Sequence, residues 1–238
     1  MTSSFTLAEP GVSVGKPTLR AVHLAGPVGR LEALLNDGAS DAPFAALVCH
    51  PHPLAGGTMH NKIAYHAMKV LNAPEWGFRW PVLRFNFRGA GLSEGAHEGM
   101  AEAADVLAAL DWLQTEFQRP IVVTGFSFGA AMAIHACCDP SLHTPSLPNL
   151  RALVALGLPT RAFGTRHRYP FLSACTVPKL FLSGDQDPFA PASDLMEVVE
   201  EAGPPRTLAL ISGADHSFSG RLDAMQNALA GWLKEHVQ

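Results

Sequence analysis

The stretch GFSFGA, residues 125–130, lies between the apolar runs PIVVT and AMAIHACC, which have the character of a strand and a helix. It matches the pattern Gly-x-Ser-x-Gly, in which a serine stands at a sharp turn from strand to helix. The turn forces the serine into an unfavourable backbone conformation, and the flanking glycines leave room because they lack a Cβ atom. The sequence therefore predicts that Ser127 is an exposed nucleophile beside free helix N–H groups.

The composition is typical of a globular protein with a large core. The chain has 238 residues, of which 47% are hydrophobic and 16% charged, and its formal net charge is −4. The basic residues form no run that suits nucleic acid, and no apolar stretch reaches the roughly 18 residues that a membrane span needs. The N-terminal stretch has no basic segment followed by an apolar core. We therefore expect no signal peptide and a cytoplasmic protein.

The cysteines follow no redox or metal-binding spacing. The chain has four of them, Cys49, Cys137, Cys138 and Cys175, and no Cys-x-x-Cys motif. We expect free thiols in a reducing compartment. Cys49 ends an apolar strand, so we interpret it as an inert core thiol rather than a nucleophile.

Strands and helices alternate along the chain, which predicts a parallel sheet with helices on both faces. Residues 1–17 have no clear period and are expected to be a loose arm, followed by one domain over 18–238. About twenty irregular residues separate the strands at 151–157 and 179–184, too few for a substantial cap. Strands are expected at 18–25, 29–37, 44–50, 80–88, 121–126, 151–157, 179–184 and 206–213, and helices at 59–71, 100–117, after Ser127, 193–202 and 219–236.

A nucleophilic serine needs a base and an orienting acid, in the chain order serine, acid, histidine for this architecture. His216 follows the last predicted strand in GADHSF, and two acids follow the preceding strand in GDQDPF. Asp187 is favoured over Asp185 because it stands before Pro188, where the loop bends. Asp185 is the alternative, or a cap of the turn. Asp215 adjoins the histidine in sequence and is poorly placed to face it.

Five segments together resemble the α/β-hydrolase superfamily, and more narrowly its small bacterial serine hydrolases without a cap: CHPHPLAGGTMHNK, RFNFRGAGLSEG, GFSFGA, SGDQDPF and GADHSF. The resemblance runs from about Thr18 to Trp232. It implies an α/β fold with a mostly parallel eight-stranded sheet, helices on both faces and no cofactor. It also implies a triad of Ser127, Asp187 and His216 that cleaves small carboxylic esters or thioesters through an acyl-enzyme.

The resemblance further implies an oxyanion hole, made by the N–H of Phe128 and by one N–H in the loop at 49–57. Pro51 and Pro53 have no N–H to donate. The donors left nearby are His52 and Leu54, of which we favour His52.

Other residues have two interpretations each. Asn61 is a candidate for substrate binding or for capping the first helix, and Arg88 for binding an anionic substrate or for fixing the turn after its strand. The two histidines of HPHP lack the following aspartate and histidine of a dinuclear metal site, so no metal is expected.

The missing cap predicts an open site for small, short-chain esters. The alternatives are an acyltransferase or peptidase that uses the same triad, or a non-catalytic interaction protein on the same scaffold.

Overall fold

The computed structural model describes residues 18–142, 149–162 and 164–237, so the predicted arm at 1–17 lies outside the described residues. The strands of the described residues are β1 (Leu19–Gly26), β2 (Gly29–Asn36), β3 (Ala45–Cys49), β4 (Val82–Phe85), β5 (Ile121–Phe126), β6 (Leu150–Leu156), β7 (Arg161–Ala162), β8 (Thr165–Arg166), β9 (Lys179–Gly184) and β10 (Arg206–Ile211). Eight of them form one sheet in the order β1-β2-β4-β3-β5-β6-β9-β10, and β7 pairs with β8.

The sheet is parallel from β4 to β10 and antiparallel at the other edge. Strand β2 pairs antiparallel with both β1 and β4, and the remaining pairs of the sheet are parallel. Every residue of β3, β5 and β9 is buried, whereas buried and accessible residues alternate in β2. Strands that are buried along their whole length are expected where helices cover both faces of a sheet.

Helices do cover both faces. Helices α2 (Ala103–Phe117), α3 (Phe128–Cys138) and α4 (Ala192–Glu201) pack in one apolar core, and α1 (Lys62–Asn72) and α5 (Leu222–His236) pack in the other. None of the helices in the described residues has the length and apolar character needed to cross a membrane. The predicted mostly parallel eight-stranded α/β sheet is thus confirmed.

Helix α1 begins three residues later than the sequence pattern predicts. Asn61 precedes it, and its Oδ1 accepts the N–H groups of Ile63 at 2.9 Å and Ala64 at 3.4 Å. This is the geometry of an N-cap, which satisfies donors that have no partner within the helix.

The segment between β6 and β9, predicted to be irregular, contains the short hairpin of β7 and β8 and a 3-10 turn at Pro170–Ala174. Tertiary contacts hold it. Arg161 forms an ion pair with Asp194 of α4, and the Tyr169 hydroxyl donates to the carbonyl of Pro159 at 2.7 Å. The described residues of this segment, 157–162 and 164–178, form one side of a cavity described below rather than a cap domain. We call them the wall segment.

The prediction of four free thiols is wrong for two of them. Cys138, at the end of α3, is disulfide-bonded to Cys175, with their Cα atoms 5.3 Å apart. The 3-10 turn brings the second cysteine to the helix end, a proximity that the sequence spacing does not reveal. Cys49 and Cys137 are free and buried. Burial raises the pKa of both thiols, which keeps them protonated and unreactive.

Candidate active site

Ser127 occupies the turn between β5 and α3 in a backbone conformation that side chains rarely adopt, with φ 55° and ψ −120°. The chain needs glycine on both sides. A Cβ on Gly125 would lie 2.3 Å from the carbonyl oxygen of Gly129, and one on Gly129 would lie 2.4 Å from that of His50. The local sequence therefore places the serine hydroxyl at the end of the strand and at the N-terminus of α3, as predicted.

His216 connects this serine to a buried carboxylate. Its Nε2 lies 2.9 Å from Oγ of Ser127, and its Nδ1 lies 2.7 Å from Oδ2 of Asp187. The imidazole contacts the rings of Phe126 and Phe189, at centroid distances of 5.0 Å and 4.8 Å. The structure thus places the three residues of the predicted triad within hydrogen-bonding distance of one another, in the order Ser127, His216 and Asp187.

The carboxylate of Asp187 is held by its own loop. Its Oδ1 accepts the N–H groups of Phe189 at 2.8 Å and Ala190 at 3.2 Å, and the hydroxyl of Ser183 donates to Oδ2 at 3.1 Å. These contacts orient Oδ2 toward the histidine and compensate for its burial.

The two alternative acids make their hydrogen bonds elsewhere: Asp185 bonds to the loop after β10, and Asp215 bonds within its own turn. Asp185 accepts the N–H of Gly213 at 2.8 Å. Asp215 accepts the N–H groups of Ser219 and Ser217, and these hydrogen bonds lower the pKa of its carboxyl. The geometry therefore favours Asp187 as the partner of His216.

The loop at 49–57 lies beside the start of α3. The N–H of Leu54 donates to Nδ1 of His52 at 3.2 Å, so that donor is used within the loop. The His52 ring lies 4.9 Å from that of Phe128, the first residue of α3. This arrangement supports His52 over Leu54 as the second donor, and the oxyanion hole itself stays a prediction.

Sequence comparison agrees with this geometry. A family profile described as "Alpha/beta hydrolase domain" matches residues 48–234. The chain belongs to the α/β-hydrolase family. It is also 34% identical over 222 residues to an uncharacterised protein of Rickettsia prowazekii, an alignment that covers 89% of this chain and 87% of that one.

Solved structures resemble this α/β hydrolase over nearly its whole length. A serine hydrolase without a lid from Xanthomonas campestris is 27% identical, with a TM-score of 0.77 over 91% of this chain and 94% of that one. A serine hydrolase homologue from Coxiella burnetii is 29% identical, with a TM-score of 0.76 over 97% and 100% of the two chains. The resemblance to capless serine hydrolases stated from the motifs is thus confirmed.

In this α/β hydrolase, the first histidine of the HPHP motif has a structural role. His50 is fully buried; its Nε2 accepts the N–H of Phe87 at 3.1 Å, and its Nδ1 lies 2.6 Å from the carbonyl oxygen of Pro51. Burial lowers its pKa to about 4. Within the described ranges no group of three or more His, Cys, Asp or Glu side chains is arranged to hold a metal ion.

Arg88 is buried and forms ion pairs with two acidic residues that follow it in the chain. Its guanidinium lies 2.8 Å from Oδ1 of Asp105 and 2.9 Å from Oε1 of Glu98, and it does not border the cavity beside the serine. These contacts support the interpretation that it fixes the turn after β4, rather than binding substrate. Asn61 caps α1 and also borders the cavity.

A cavity of about 630 Å³ opens at Ser127 and His216. The 49–57 loop, one face of α3 and the wall segment enclose it, and its lining is mostly apolar. Met132 and His135 also border the cavity and were not identified from the sequence. A signal was present, because with Phe128 they recur at four- and three-residue steps, which places them on one face of α3.

Proposed function

We propose that this α/β hydrolase is a serine hydrolase that cleaves carboxylic esters or thioesters through an acyl-enzyme on Ser127. The observation that carries the proposal is the continuous contact from Oγ of Ser127 through His216 to Asp187. A serine is a weak nucleophile alone, and this arrangement is the one that activates it. An assembled triad beside an open cavity also argues against the non-catalytic alternative.

In the proposed reaction, His216 accepts the proton of Ser127 as the hydroxyl attacks the acyl carbonyl. The N–H groups of Phe128 and His52 stabilise the negative oxygen of the tetrahedral intermediate. His216 then delivers its proton to the leaving group, and a water molecule activated by the same imidazole releases the acid. Asp187 holds the hydrogen on Nδ1 and stabilises the charged imidazole.

The cavity favours a larger acyl group than the short chains expected from the missing cap. Its volume of about 630 Å³ lies within the roughly 300–1,000 Å³ typical of sites for drug-sized ligands. From Ser127, which precedes α3, to His135 on the lining face of that helix, the chain advances eight residue steps, or about 12 Å. We therefore propose substrates whose acyl group has an extended apolar body.

Two measurements test the proposal. Fluorophosphonate labelling, mapped by mass spectrometry, is expected to modify Ser127 in the wild type, to disappear in Ser127→Ala and to slow greatly in His216→Ala. Hydrolysis of p-nitrophenyl esters from acetate to decanoate is expected to give a kcat/KM that rises beyond the short chains. Folded wild type that neither labels nor hydrolyses any ester would contradict the proposal.

A further inference from the structure

A second carboxylate–histidine pair, formed by Glu102 and His97, lies beside the two residues of the proposed oxyanion hole. Nδ1 of His97 lies 2.6 Å from Oε1 of Glu102, close but off the direction of an ideal hydrogen bond. Glu102 is fully buried, directly before α2, and the same oxygen accepts the N–H of Glu98 at 2.8 Å. The triad does not use this pair.

The buried carboxylate of Glu102 has an incomplete set of hydrogen bonds, which favours its contact with His97. Oε2 of Glu102 is buried and makes no hydrogen bond within the described part of the chain. The neighbouring cation, Arg88, hydrogen-bonds to Asp105 and Glu98. One hydrogen bond from the N–H of Glu98 leaves this buried carboxylate only partly satisfied, so its contact with Nδ1 of His97 is stabilising and favours one orientation of the His97 ring.

The ring of His97 contacts both residues of the proposed oxyanion hole. Its centroid lies 4.6 Å from that of His52 and 5.4 Å from that of Phe128, and those two rings lie 4.9 Å apart. These are the distances of packed aromatic rings. His52 and Phe128 border the cavity, whereas His97 contacts both of their rings and does not border it.

We propose that Glu102 and His97 are positioning residues for the oxyanion hole. Glu102 fixes the His97 ring, and the ring holds His52 and Phe128 so that their N–H groups point to where the oxyanion forms. Such donors work because they are aligned before the reaction, and small displacements are costly. This inference rests on the proposed function and concerns the transition state of that reaction.

Two variants test the roles of Glu102 and His97 separately. Glu102→Gln keeps the shape of the side chain and removes its charge. His97→Asn keeps an N–H donor near the position of Nδ1 and removes the ring that contacts His52 and Phe128. Glu116→Gln is the matched control, because it makes the same change at the other end of α2, where Glu116 lies 3.6 Å from the guanidinium of Arg20 and does not border the cavity.

For each variant, kcat and KM are measured with the best p-nitrophenyl ester, together with inhibition by an alkylboronic acid. The boronate forms a tetrahedral adduct with serine and so imitates the intermediate. In both variants we expect kcat to fall about 10- to 100-fold, KM to change little, and boronate affinity to weaken in parallel with kcat/KM. The control is expected to behave as the wild type.

Thermal unfolding establishes that each variant is folded, and Glu102→Gln decides the matter if His97→Asn does not fold. Unchanged kcat and boronate affinity in folded variants would overturn the inference. So would a lower kcat with unchanged boronate affinity, because the pair would then act elsewhere. A wild type that hydrolyses no ester and is not labelled at Ser127 would instead overturn the proposed function, and this inference with it.

Discussion

Two aspartates in one loop, Asp185 and Asp187, stand two residues apart, and only their surroundings distinguish them. Asp187 contacts Nδ1 of His216 at 2.7 Å, whereas Asp185 accepts a backbone N–H from Gly213. We predict that Asp187→Asn lowers kcat by about 10⁴-fold, because the amide favours the wrong tautomer of the histidine. Asp185→Asn should leave kcat near the wild-type value. Ester hydrolysis by both variants checks this, and an equal loss in the two would contradict it.

At the scale of single residues, the chain order predicts His216 and the loop that carries the acid, whereas the choice of Asp187 over Asp185 depends on its position before Pro188. The Gly-x-Ser-x-Gly turn and the loops after β9 and β10 each contribute one residue of the triad, in the order predicted. The partners of Arg88 were not predictable, because Asp105 lies 17 positions further along the chain and becomes its neighbour only when α2 packs. A charge at a strand end does not reveal what neutralises it.

At the scale of elements, His50 joins the end of β3 to the chain after β4. Its Nε2 accepts the N–H of Phe87, so the imidazole must stay uncharged there, and burial lowers its pKa from the ordinary 6.5 to about 4. Between those two pH values the unfolded chain binds more protons than the folded one, so stability falls as the pH falls. His50 alone should account for about 3 kcal/mol of unfolding free energy lost between pH 7 and pH 4.

The variant His50→Gln tests this, since its amide oxygen can accept the same N–H and does not titrate. Urea unfolding of both proteins at pH 7, 5 and 4 gives the comparison. We expect the variant to be less stable at pH 7 but to lose less stability on acidification. Parallel curves for the two proteins would show that His50 does not contribute to the pH dependence.

The long elements could be predicted and the short ones could not, for a physical reason. Strand β3 is apolar throughout, β5 and β9 each contain a run of three large apolar residues, and α2 has a clear helical period, so local pattern alone identifies them. The two-residue strands β7 and β8 have no such pattern. They exist because Arg161 and Tyr169 contact α4 and the chain after β6, and those contacts depend on the assembled fold.

At the scale of the whole molecule, the parallel sheet explains why distant segments form one site. The carboxyl ends of β5, β9 and β10 meet at one edge, and the loops there carry Ser127, Asp187 and His216. The alternation of strands and helices predicts this convergence. It does not predict the cavity, because α3, the 49–57 loop and the wall segment enclose it only after each has packed against the sheet.

The disulfide between Cys138 and Cys175 links the end of α3 to the wall segment, across 37 residues of chain. Closing a loop of this length restricts the unfolded chain, so Cys175→Ala should lower the unfolding free energy by about 2–4 kcal/mol. Cys137→Ala, which removes a neighbouring buried thiol, is the control. Urea unfolding with and without a reductant is the measurement, and only proteins with the bond should respond to reductant.

Counting thiols in the denatured, unreduced protein decides whether the bond forms. Two accessible thiols would agree with the structure, which leaves Cys49 and Cys137 free. Four thiols, with no effect of reductant on stability, would contradict the bond and restore the free-thiol prediction. The predicted cytoplasmic location is linked to this outcome, because reducing compartments keep most thiols unpaired. A bond that persists in protein isolated under thiol-blocking conditions would count against that location and favour an oxidising one.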